Sequence, residues 1–140
     1  FRSLTASFEL KLAQIRDLSK AVPMELIAYG RLPLMITENC IVYHHAGQHV
    51  CGDGLRLVDR KGARFPVVKA WGCRNEILNA KTLFLADKAA DYASLGLWGT
   101  RLMFTTESPE ECVRILRRYQ GQRGWQPGDY TRGLYYRDVE

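Results

Sequence analysis

The chain has 140 residues, 46% hydrophobic and 25% charged, an ordinary balance for one globular domain with a modest core. No apolar run approaches the roughly 20 residues of a membrane helix, and the N-terminus lacks a charged-then-apolar export pattern, so a cytoplasmic protein with no membrane partner is expected. A formal net charge of +5 permits a polyanionic partner without demanding one.

Ser7 reads as the N-cap of a helix from about Phe8 to Ala21, stopped near Pro23. Met24 to Gly30 (MELIAYG) is short, apolar and bounded by Pro and Gly, which reads as a buried strand. Residues 36 to 54 show no clean period and read as a loop with one short helix. Leu55–Val58 and Phe65–Val68 flank Asp59-Arg60-Lys61-Gly62, a composition suited to a hairpin turn. Glu76 to Leu83 reads as a further strand, and Asp87 as the cap of a helix over Lys88 to Leu95 ended by Gly96. Arg101 to Thr106 is a strand candidate. Ser108, Pro109 and Glu111 then form a capping box for a helix that stops before Gly121, with Cys112, Val113, Ile115, Leu116 and Tyr119 as its apolar face. This alternation argues for an α/β fold with parallel strands joined by crossovers. About three core strands are legible, too few for a closed eight-stranded barrel of about 250 residues.

The residues that carry chemistry lie between the apolar segments. Cys40 is followed by His44, His45 and His49, then by Cys51, then by Cys73 after the hairpin. Thiolates and imidazoles are ligands that softer metal ions prefer, so a metal or iron–sulfur site is weighed first. The spacing Cys-x10-Cys-x21-Cys matches no short zinc template, and three reduced thiols in a loop are the alternative. Adjacent His44 and His45 cannot both point the same way on a regular element, so at most one is a ligand. Cys112 is read as a packing residue. A Cys40 pair with His44 or His45 has the chemistry of a thiol protease, but no G-x-S-x-G elbow or H-E-x-x-H helix is present. Arg31 and Glu38 follow the strand at 24–30 and, with Arg74, are candidate substrate-binding residues. Asn79 is a candidate for orienting the loop. Arg114, Arg117, Arg118 and Arg123 with Trp125 are a candidate RNA-contacting face.

Longer blocks carry a family likeness. The stretch from Glu25 through Gly30, Pro33 and Glu38 to Cys40 resembles the collagenase-like peptidase family U-thirty-two. So do Leu57-Val58-Asp59-Arg60-Lys61-Gly62, Phe65-Pro66-Val67, Cys73-Arg74-Asn75-Glu76-Ile77-Leu78-Asn79 and the ending Thr131 to Arg137. The resemblance implies the C-terminal part of a TIM-barrel-like domain carrying an inserted Cys/His loop and β-hairpin. With a chain opening at Phe1 in what reads as mid-domain sequence, it implies a single-domain piece (1–140) of a longer protein.

Members of that family carry the peptidase label, and some are linked to iron–sulfur-dependent hydroxylation of RNA bases or quinone precursors. By the resemblance, Cys40, Cys51 and Cys73 match three of four cluster ligands. A further cysteine is common a few residues before the position of Cys51. Here that region reads Ala46-Gly47-Gln48, so either a histidine substitutes, with His49 and His45 nearest in sequence, or the cluster is incomplete, or the ancestral site is degenerate. The expectation is an iron–sulfur cluster in the full-length protein, with zinc or nothing in the isolated piece. The chemistry expected is redox modification of RNA or a small aromatic substrate. The alternatives are hydrolysis of a protein or peptide substrate and a structural domain that pairs its strand edges as a homodimer. The piece alone is expected to be inactive.

Overall fold

The computed structural model describes residues 1–49, 52 and 54–137. In chain order these form β1 (Leu4–Thr5), α1 (Leu12–Ser19), β2 (Met24–Gly30), β3 (Pro33–Ile36), α2 (Ile41–Ala46), β4 (Arg56–Val58) and β5 (Arg64–Ala70). Then come β6 (Arg74–Leu78), β7 (Thr82–Phe84), α3 (Ala89–Ala93), β8 (Gly99–Met103), α4 (Pro109–Tyr119) and β9 (Tyr130–Thr131). The fold is mixed α/β, and no barrel closes among the described residues. The chain divides into two compact units, one of Phe1–Gly30 with the chain from Lys81 onward, the other Arg31–Ala80.

In the first unit β2 is central, and its continuous apolar run is what burial on both faces requires. β1 and β8 pair with it in parallel, β7 pairs antiparallel at its end, and β9 lies parallel to β7. The antiparallel β2–β7 pair departs from an all-crossover sheet. Tyr29, Phe84, Ala86 and Ile115 form a buried cluster against which Leu102, Tyr119, Trp125 and Tyr130 pack. Gly30 permits the close approach of β8, since a Cβ there would stand 2.3 Å from the Met103 carbonyl oxygen.

Several expected boundaries move, each because a polar group finds another partner. The first helix begins at Leu12, because the Ser7 hydroxyl accepts the Glu9 N–H in a local turn and Gln14 Oε1 receives the Lys11 N–H. Asp87 does not cap a helix over 88–95. Its carboxylate forms a two-pronged ion pair with Arg132, a 3₁₀ turn covers Ala86–Lys88, and the helix is only Ala89–Ala93. The strand expected over 101–106 ends at Met103, because the Thr105 and Thr106 N–H groups donate to Glu107 Oε2. On α4 the capping box forms as expected, but Val113 and Leu116 are exposed; the helix turns only the stripe through Ile115 and Tyr119 inward.

The second unit is a four-stranded antiparallel sheet in the order β3-β6-β5-β4. Its hairpin turn forms where expected, with Asp59 Oδ1 accepting the N–H groups of Lys61 and Ala63 at 2.8 Å. The single strand expected over 76–83 is two strands in different sheets, β6 and β7. Between them the Asn79 N–H donates to Leu32 O, and the carbonyls of Asn79 and Ala80 accept from Arg31 Nη1. Among the described residues, no helix is long and apolar enough to cross a membrane.

Candidate metal centre

Three segments of the second unit bring donor atoms together. Cys40 is the N-cap of α2, with extended backbone, and its Sγ accepts the N–H of Tyr43 at 3.4 Å. A six-residue helix needs such ends, since too few internal bonds form to offset nucleation. At the other end Gly47 adopts the left-handed conformation (φ 66°) and donates its N–H to Tyr43 O. This stop releases the chain toward His49, whose ring stacks on that of Tyr43 at 4.3 Å and 15°.

Cys73 arrives from the other side. It ends the tight turn Trp71–Cys73 with φ 62°, the one positive φ of a non-glycine among the described residues, directly after Gly72 at φ 70°. A side chain in this region costs about 1–3 kcal/mol and is held there only by its surroundings. The result places Cys73 Sγ 3.2 Å from His49 Nδ1. The donor atoms of Cys40, His49 and Cys73 all lie within 4.8 Å of one another.

The frame around these donors is hydrogen-bonded. Buried Asn75 accepts the Ile41 N–H through Oδ1 (2.8 Å), and its own N–H donates to Thr37 Oγ1 (3.0 Å). The Thr37 N–H returns to Asn75 O at 2.8 Å. The residues after Cys73 and those around Cys40 are thereby tied together. Arg74 pairs with Glu38 at 2.9 Å across the same two segments.

Of the residues expected at a site, the structure brings together Cys40, Cys73 and His49. His45 is exposed on α2 and is not one of the converging donors. The cysteine–histidine contact is Cys73 with His49, while Cys40 Sγ serves the Tyr43 N–H and not a histidine one turn along. Cys51 lies outside the described residues. Cys112 is half-buried on α4 and is not one of the converging donors. Glu38 and Arg74 engage each other, and Arg31 holds backbone carbonyls. Glu25 is tied to Arg101 at 2.5 Å. Trp125 packs edge-on against Phe84, and Arg118 donates to Trp125 O and lies over the Phe84 ring.

Tyr43 and Asn75 were not among the expected site residues. Neither has a signature of its own; the only hint is adjacency, Tyr43 three residues after Cys40 and Asn75 two after Cys73.

Chemically, two sulfurs and one imidazole nitrogen are a donor set for a thiophilic ion, which binds such ligands at about 2.0–2.3 Å and so holds them within a few ångströms of one another. No protein-family model matches the chain, and no curated protein or solved structure matches it.

Proposed function

We propose that this chain is the metal-bearing part of a redox modification enzyme, with Cys40, His49 and Cys73 as ligands and Cys51 as the further ligand its sequence position suggests. The observation that carries the reading is the convergence of three donors from three separate segments within 4.8 Å. Cysteines kept only for packing have no need of an imidazole at 3.2 Å or of a left-handed backbone at the thiol.

The donor set with Cys51 is three sulfurs and one nitrogen, and His49 takes the place of the cysteine that the family resemblance leads one to expect near Gly47. This set suits one tetrahedral ion more closely than a four-iron cluster, whose thiolates stand at separate corners of a cube. In the redox assignment the ion is iron, and the enzyme hydroxylates RNA or a small aromatic substrate in the reducing cytoplasm, with an external oxidant supplying the oxygen atom and accepting the two electrons the substrate loses. The first unit is then part of a TIM-barrel-like layout. In support of that, β1, α1 and β2 make a parallel strand–helix–strand step, and β8 adds parallel to β2.

The test is metal content after anaerobic purification from medium replete in iron and zinc. About one iron per chain is expected, lost in Cys73→Ala and in His49→Ala. Zinc alone would make the centre structural and end the redox assignment; absence of both metals would end the metal reading. One observation favours hydrolysis as a second reading: the Cys73–His49 pair is itself a thiol–imidazole couple. That reading requires the metal-free protein to cleave peptides and Cys73→Ala to abolish cleavage.

A further inference from the structure

We propose that the β4–β5 hairpin is a binding surface for single-stranded nucleic acid, running from its basic turn to Trp71 beside the metal centre. The link to catalysis rests on the function proposed above; the binding itself requires no metal.

Charge points to the partner. Between positions 56 and 69 the chain places Arg56, Arg60, Lys61, Arg64 and Lys69 against one acid, Asp59. All five basic residues are exposed, and none forms an ion pair among the described residues. Asp59, whose Oδ1 accepts the N–H groups of the turn, offsets one of the five charges and leaves a local excess of four. Three arginines elsewhere are engaged by carboxylates, Arg74 by Glu38, Arg101 by Glu25 and Arg132 by Asp87. The hairpin cations are left for an external polyanion.

Register sets the track. Arg56 pairs with Pro66 and Val58 with Arg64, so Arg56 and Arg64 fall on one face, with Arg60 and Lys61 at the tip. Lys69 lies on the opposite face, near the far end. The seven residues of β5 span about 20 Å, room for a short run of nucleotides.

At that far end Trp71 is 89% exposed, as the first residue of the turn that carries Cys73. An indole that bare is a stacking platform for an unpaired base, which selects a single strand over a duplex. A lipid surface fits less well, because the tip Asp59-Arg60-Lys61-Gly62 has no aromatic to insert and the indole stands at the other end. The α4 face lacks a platform, because Trp125 is packed on Phe84.

The experiment is fluorescence anisotropy of a short labelled single-stranded RNA of mixed sequence with the full 140-residue chain. Binding is expected to weaken with salt at a log–log slope of about −3, as for four phosphate contacts. The double variant Arg60→Glu/Lys61→Glu, in an exposed turn, loses about tenfold or more in affinity. Trp71→Ala loses about fivefold to hundredfold, while Arg114→Glu/Arg117→Glu stays within about twofold. Metal content is measured on each variant, and RNA binding on Cys73→Ala. RNA binding retained there without metal leaves this inference standing while the metal reading is judged separately. The proposal is overturned if the wild-type chain does not bind, if the helix variant loses as much as the hairpin variant, or if Trp71→Ala has no effect. Binding to phosphatidylserine-containing vesicles in place of RNA overturns it as well.

Discussion

Asn75 holds the start of the metal-site helix: its Oδ1 accepts the Ile41 N–H at 2.8 Å from a side chain only 1% exposed. Ile41 follows Cys40 and Asn75 lies two residues past Cys73, so one amide sets the approach of two candidate ligands. The same residue donates its N–H to Thr37 Oγ1 and accepts the Thr37 N–H at its carbonyl, which makes it a brace between β6 and the segment leading into α2. A brace of this kind orients ligands without touching the ion.

Replacing Asn75 with alanine removes the acceptor and leaves a half-buried N–H without its partner. The expected loss is about 1–3 kcal/mol in urea unfolding. Metal affinity is expected to fall by about tenfold or more, read by competition with a chromophoric chelator. Stability loss with unchanged affinity would show that Asn75 supports the fold alone.

Tyr119 is a second brace, in the other unit. Its hydroxyl donates to Ala28 O at 2.6 Å and accepts the Leu85 N–H at 3.0 Å, joining β2 to the chain after β7 from a helix that packs on both. Burial pushes its phenol pKa up, so it remains a donor throughout the working pH range. Tyr119→Phe keeps the ring contacts with Phe84 and Tyr29 but strands both backbone groups. A cost of about 1–3 kcal/mol is expected in chemical denaturation. A cost near zero would mean that water replaces the hydroxyl.

Much of the chain announced itself through local chemistry. Ser108, Pro109 and Glu111 cap α4 as their residue types dictate, Met24–Gly30 is the buried strand its composition requires, and the Asp59 carboxylate closes the turn that its neighbours suggest. What was not legible depends on partners distant in sequence. β3 is a strand because β6 offers it an edge, not because Pro33–Ile36 has an alternating pattern; Leu34, Met35 and Ile36 are all exposed. The break between β6 and β7 is set by Arg31 and Leu32, nearly fifty residues back. At the site, residue types marked the cysteines and histidines, but choosing His49 over His45 required the Tyr43 ring and the Cys73 thiol to be in place.

Acid should weaken the first unit through Asp87. Partial burial raises the pKa of this carboxyl, but the hydrogen bonds and charge of Arg132 outweigh that and hold it below the usual range. A folded-state pKa below the unfolded value contributes stability that is present above about pH 4 and lost as pH falls through the folded value. The urea midpoint is expected to drop below pH 4, and to drop less in Asp87→Asn, which starts from lower stability at pH 7. Parallel curves for the two proteins would remove Asp87 from the acid response.

The left-handed backbone of Cys73 separates strain from ligation. Cys73→Ala keeps a Cβ at φ 62° and loses the sulfur, whereas Cys73→Gly loses the sulfur and the strain together. Both variants are expected to lose the metal. Without metal, the glycine variant should be the more stable of the two by about 1 kcal/mol, since a left-handed residue with a side chain carries roughly that penalty. Equal stabilities would mean that the turn relaxes once the thiol is gone.

Cys40 carries two roles that one substitution pair can divide. Its sulfur is a donor in the converging group and also the N-cap acceptor for Tyr43. Serine at this position keeps a short side-chain acceptor and is a strong N-cap, but a hydroxyl is a poor ligand for a thiophilic ion; alanine provides neither. Cys40→Ser and Cys40→Ala should therefore be equally deficient in metal, measured as metal per chain. Stripped of metal, Cys40→Ser should exceed Cys40→Ala by about 1 kcal/mol in urea unfolding, the usual worth of an N-cap. The six residues of α2 are too few to persist on propensity alone, so losing the cap should also show as faster amide exchange at Tyr43 in the alanine variant. If Cys40→Ser retains a full equivalent of metal, Cys40 is a cap and not a ligand, and the centre must be built on His49 and Cys73 without it.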